Sequence, residues 1–119
     1  MYSELTEWLQ AAERLCGAVL KGSIEGAQED LLRMLDKPVP YKGLGGAFLD
    51  YLLDVVQNQA SIVSGSLMDQ SRASEDTIRN AVYALLAKLL MLREEVEACM
   101  RDKTAFSQQK DLPIRGLVR

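Results

Sequence analysis

Three glutamates within one helical turn, Glu94, Glu95 and Glu97, are the densest group of chemically able side chains in the sequence. Carboxylates are hard oxygen donors, and a cluster of them on a helix could hold Mg²⁺ through one or two oxygens while water completes the octahedron. A second acidic group on another helix would have to finish the site, and none is spaced for it. The three acids are therefore read as the solvated outside of a helix. The second candidate is the loop Gly43-Leu44-Gly45-Gly46, whose backbone N–H groups could cradle an anion at the start of the helix that follows. It lacks the Gly-Lys-Ser/Thr ending of a phosphate-binding loop and follows no strand pattern, so it is read as a helix-helix connection.

Nucleophilic and zinc chemistry are closed off by composition. The chain has no histidine, so no imidazole base can activate a serine or cysteine. Zinc needs four ligands drawn mainly from Cys, His and carboxylate, and only two distant cysteines, Cys16 and Cys99, are present. Each falls on the apolar stripe of an expected helix and is read as a reduced, buried thiol in a cytoplasmic protein. A disulfide would need the first and last helices side by side with those positions facing. The acidic run at 94–97 resembles the E-E-x-x-E box of all-α nucleotide pyrophosphohydrolases. That resemblance would imply a Mg²⁺-dependent helical enzyme, but the third acid comes one position early and the family's later acidic box is missing. No catalytic residue, metal or cofactor is expected.

Composition points instead to packed helices. The 119 residues are 48% hydrophobic and only 6% aromatic, the balance of a helical bundle more than of a β-sandwich, and they suit a single domain. No apolar run reaches membrane-spanning length, and Glu4, Glu7, Glu13 and Arg14 interrupt the first twenty residues, so neither a membrane span nor a secretory signal is expected. Charge is uneven. Residues 1–100 hold 9 Lys/Arg against 15 Asp/Glu, whereas residues 101–119 hold 5 against 2. An acidic body disfavours nucleic acid, whose binding draws on neutralised phosphates.

The strongest pattern lies in residues 78–100. Ile78, Val82, Leu85, Leu89, Leu92, Val96 and Cys99 recur at steps of four and three, a heptad seam that keeps one stripe against a partner helix. Residues 81–92 (AVYALLAKLLML) carry one charge, Lys88, so this helix is apolar almost all round. It must be central to a bundle or be covered on a second side by another chain. Lys88 is expected at the exposed edge, its stem packed on leucines.

Four amphipathic helices are expected, at about 4–21, 24–36, 47–68 and 75–103. Ser3 and Ser74 are the expected N-caps of the first and last. Gly22-Ser23 marks either a kink or a stop; three glycines in ten residues favour a stop. Pro38, Pro40 and the glycines at 43, 45 and 46 make residues 37–46 a loop. Residues 104–119 are expected to be a basic, irregular tail outside the helical domain of residues 1–103.

The resulting expectation is an all-α bundle of three to four amphipathic helices, completed by dimerisation through the last helix. Val82, Leu85, Leu86, Leu89, Leu90 and Leu92 are the expected partner or dimer interface. Leu112, Ile114, Leu117 and Val118 are the expected docking residues of the tail, either on another chain or back on the bundle. Trp8 is expected in the core, while Tyr2 and Tyr41 are the aromatics most able to be exposed. The architecture resembles small bacterial regulators and export chaperones of this length. The expected function is a non-enzymatic, cytoplasmic interaction protein that inhibits, sequesters or escorts another protein. The alternative is a helical nucleic-acid-binding regulator using Arg72 and Arg79 at the start of the last helix together with the basic tail, although Glu75 and Asp76 at that same start would repel phosphate.

Overall fold

The computed structural model describes residues 2–22, 26–40, 46–69 and 74–109. They form α1 (Ser3–Lys21), α2 (Ala27–Leu35), α3 (Ala47–Met68) and α4 (Glu75–Gln109), with no strand among the described residues. The protein is all-α, and no helix of the described residues is long and apolar enough to cross a membrane.

Local chemistry sets the helix ends. Gly22 stands in the left-handed conformation (φ 64°) and turns its N–H back onto the carbonyls of Ala18 and Val19, so α1 stops here. A side chain would be strained at that position, which is why glycine closes the helix. The interruption is thus a stop and not a kink; Ser23 and Ile24 lie outside the described residues. Gly26 (φ 82°) and Gly46 (φ 93°) precede α2 and α3 in conformations that a Cβ would likewise strain.

Ser74 caps α4 as its sequence predicts: its Oγ accepts the Thr77 N–H at 3.1 Å, with Glu75 and Asp76 in the first turn. Ser3 does not cap α1. It is already helical, and Tyr2 occupies the cap position without a capping hydrogen bond from its side chain.

The expected irregular tail begins too early. α4 continues to Gln109, and residues 104–109 contain no proline or glycine to end it. Periodicity fades there because the flanking helices have ended: α4 has 35 residues against 19 in α1 and 22 in α3.

The four helices form a ring in which each packs on two neighbours: α1 on α2 and α4, and α3 on α2 and α4. Arg79 bonds the carbonyl of Leu20 and Arg93 approaches Glu13, so α4 runs antiparallel to α1. The short connection from Met68 to Glu75 likewise makes α3 and α4 antiparallel. α4 is therefore covered on two sides within one chain. Leu5, Leu9, Leu31, Leu49, Val56 and Leu85 are fully buried in the shared core. Burying each such side chain contributes roughly 1.5 to 3 kcal/mol before entropy is counted.

Candidate interaction surface

The seam of α4 faces inward. Val82, Leu85, Leu89 and Leu92 are fully buried in the core of this chain, and Leu86 packs half-buried against it. These five are thus already engaged by α1 and α3. Of the six residues expected at an interface with a second chain, Leu90 alone is exposed, at 38%. The sequence signal was apolarity on all sides of the helix, which cannot tell the side that two neighbours will cover from the side they will miss.

The side they miss holds the exposed apolar residues. On α4, Tyr83 (54% exposed), Leu90 and Met91 (51%) flank Ala87, which is also exposed. On α3, Phe48 (56%), Tyr51 (60%), Val55 and Ile62 recur at steps of three, four and seven, and so share one face. The rings of Phe48 and Tyr51 stack, with centroids 6.3 Å apart. Phe48, Tyr51 and Ile62 were absent from the expected interface, although their spacing was there to be read beside the buried stripe of α3.

Two polar clasps fix where these faces lie. Gln59, one turn from both Val55 and Ile62 on α3, is buried. Its Nε2 donates to the Ala81 carbonyl at 3.1 Å, and its Oε1 accepts from Lys88 Nζ at 2.8 Å. Lys88 is therefore not a freely snorkelling edge residue. It turns toward α3, because a buried acceptor waits there and a hydrogen bond to a charged donor is worth more than a neutral one. The apolar face of α3 runs directly beside this clasp, and so do Ala84 and Met91, a turn to either side of Lys88. On the α1 side, Arg79 donates to the Leu20 carbonyl at 2.7 Å and lies 6.0 Å from the centre of the Tyr83 ring.

Farther along the α1 side, Glu13 and Arg93 form a less well matched pair. Arg93 Nε stands 3.3 Å from Glu13 Oε2, near enough for ionic attraction, yet that oxygen is buried without a hydrogen bond. Burial lifts the Glu13 carboxyl above its usual value; Arg93 opposes the shift and Glu97 adds to it. Glu13 stands beside Arg93 of α4 with its side chain only 17% exposed.

Below it, burial, with Glu13 adding, pushes the Cys16 thiol up to about 12, so this cysteine is inert as a nucleophile. Cys16 and Cys99 are both free thiols. α1 and α4 do lie side by side, but Cys16 falls opposite the interval between Arg79 and Arg93, and Cys99 lies beyond it.

The remaining candidates place as follows. Trp8 packs half-buried against the core, its Nε1 buried without a partner, and Tyr2 packs there too. Glu95 accepts from the Cys99 thiol at 3.4 Å, and no group of three or more metal-ligating side chains occurs among the described residues. Of the two arginines that would serve nucleic acid, Arg79 is engaged as above and Arg72 lies outside the described residues. So do Tyr41, residues 43–45 of the glycine loop, and the tail residues Leu112, Ile114, Leu117 and Val118. One open cleft lies beside Gly22 and Gly26, and another between Pro38 and Gln57, where Asp36 and Lys37 face Ser61 and Ser64; both hydroxyls are bonded within α3, to the Gln57 carbonyl and to Met68 Sδ. No protein-family profile, no curated protein and no solved structure matches the chain.

Proposed function

We propose that this chain is a non-enzymatic interaction protein of the cytoplasm that binds another protein and inhibits, sequesters or escorts it, as an antiactivator, adaptor or export chaperone does. The observation that supports this reading is the exposed apolar face shared by α3 and α4, set beside a core that the chain fills by itself. Large side chains exposed together, with aromatic and methionine residues prominent, are the composition of contact surfaces, and isolated exposed residues are not. The aromatic pair Phe48–Tyr51 supplies a rigid anchor of the kind that carries most binding energy.

The test is capture from a lysate of the source organism with the tagged chain, run beside a Tyr51→Asp, Met91→Asp variant. The expected outcome is one protein recovered in stoichiometric amount by the wild type and lost by the variant. Recovery of the same protein by both would remove the α3–α4 face from the contact, and nuclease-sensitive material in its place would favour the nucleic-acid reading.

A further inference from the structure

We infer that the resting occupant of the α3–α4 face is a second copy of this chain, related by a twofold axis along the helices, so that α3 of each protomer lies over α4 of the other. The inference rests on reading that face as a contact surface, and it deepens that reading by naming an occupant and a geometry.

Shape carries the argument first. α3 presents a ridge of larger residues, Phe48, Tyr51, Val55 and Ile62, and α4 presents a furrow immediately beside it. Ala87 floors the furrow; Met91 stands on its α3 side, where the small Ala84 leaves the next turn open, and Tyr83 and Leu90 stand on the α1 side. A twofold axis parallel to the helices exchanges left and right while keeping height, so it sets each ridge over the furrow of the other protomer. The heights agree. Gln59 reaches both Ala81 and Lys88, which places it level with about residue 84, and Val55, one turn earlier on an antiparallel helix, level with about residue 88. Val55 then comes over Ala87 of the other protomer, and Tyr51 stands near its Leu90 and Met91. Such a contact is isologous, the commonest closed arrangement.

Area and charge agree with shape. Half-exposed Phe48, Tyr51 and Tyr83 leave on the order of 100 Å² each, and Ile62, Leu90 and Met91 leave somewhat less, so the six together approach roughly 500 to 600 Å² per protomer before any rim is added. A stable interface takes about 800 Å² per partner, which the face can supply. The outer edge of α3 carries Asp50 and Asp54, both exposed. The proposed axis swings that edge toward the α1 side of the other protomer, where Arg93 is 46% exposed at the height of Asp50. An axis across the helices would stack α4 on α4 and bring the two acidic edges together, like charge on like.

Sedimentation equilibrium of the full chain tests the association, and thiol cross-linking tests the geometry. The wild type is expected to be a dimer, and Tyr51→Glu is expected to raise its dissociation constant at least tenfold while leaving unchanged the melting curve of chain dilute enough to be monomeric, since Tyr51 lies outside the core. A Val55→Cys chain and an Ala87→Cys chain, each with Cys99→Ser and with Cys16 buried, are then oxidised separately and mixed. The mixture is expected to give covalent dimers and neither chain alone. Cross-linking of Ala87→Cys with itself would overturn the α3-over-α4 geometry. A wild type still monomeric at about 100 μM, a concentration at which even weak association shows, would overturn the inference. It would leave the protein-binding reading standing, because that reading fails on a different result, nuclease-sensitive material recovered in place of a stoichiometric protein.

Discussion

Leu89 and Leu90 are consecutive residues of one helix with the same side chain, and they have opposite fates. Leu89 is fully buried between α1 and α3, whereas Leu90 stands on the outer face beside Tyr83. The inner seam and the outer face of α4 are about equally apolar over residues 81–92. What separates them is the number of neighbours: a ring of four helices gives each helix two, and two neighbours cover little more than half of a helix that is apolar nearly all round. The surplus on the outer face lies outside the core that holds the monomer together, and it is the surface for which we propose a partner.

The most severe way to break this comparison is to truncate both leucines. Leu89→Ala deletes fully buried atoms from the core, and it should cost about 2 to 5 kcal/mol in urea or thermal unfolding. Leu90→Ala should cost about 0.5 kcal/mol or less when the chain is kept dilute enough to be monomeric. Equal losses at the two sites would mean that the outer face is covered in the monomer, and the contact-surface reading would lose its basis.

A smaller effect sharpens the boundary between the two regions. Gln59 is the buried polar residue that joins α3 to α4, and Gln59→Leu removes the acceptor for Lys88 and the donor to Ala81. Leaving Lys88 without its acceptor should cost about 1 to 3 kcal/mol. Adding Lys88→Met should return most of that loss, because a pair replaced on both sides by apolar groups leaves nothing unsatisfied. A double variant as unstable as the single one would show that the clasp matters for packing and not for polar satisfaction.

Helix positions were largely legible from periodicity and punctuation, and the failures have separate physical causes. The start of α3 at Ala47 follows from Pro38, Pro40 and the glycines ahead of it, and Ser74 caps α4 because a short hydroxyl side chain offers an acceptor to a free helical N–H. The end of α4 was misplaced because the hydrophobic pattern reports neighbours, and a helix that outlasts its neighbours loses pattern without losing helical structure. The interface residues were chosen by apolarity, which marks burial and contact alike. Phe48, Tyr51 and Ile62 were passed over because α3 has a convincing buried stripe, and the second stripe beside it was not sought. Gln59 was missed because a glutamine on an apolar stripe announces nothing until the Lys88 of another helix is placed beside it.

The least effect is expected where the inner region meets solvent on the α1 side, at Glu13 and Arg93. Burial raises the Glu13 carboxyl above its ordinary 4.5, with Arg93 opposing and Glu97 reinforcing the shift. A raised carboxyl binds its proton more tightly in the folded chain than in the unfolded one. Stability from this group is therefore fully present below the ordinary value and is lost as pH rises through the folded one. At neutral pH the ionised Glu13 is held in a place that disfavours its charge, and its buried oxygen accepts no hydrogen bond. Glu13→Gln keeps the shape and removes the charge, while Arg93, half exposed, can turn to water. The variant should match or slightly exceed the wild type in unfolding experiments at pH 7, and this advantage should shrink steadily as pH falls to about 4. The opposite trend, a wild-type advantage that grows with pH, would mean that attraction to Arg93 outweighs burial. The α1 edge would then be a second clasp comparable to Gln59 and Lys88, and not a seam left slightly open.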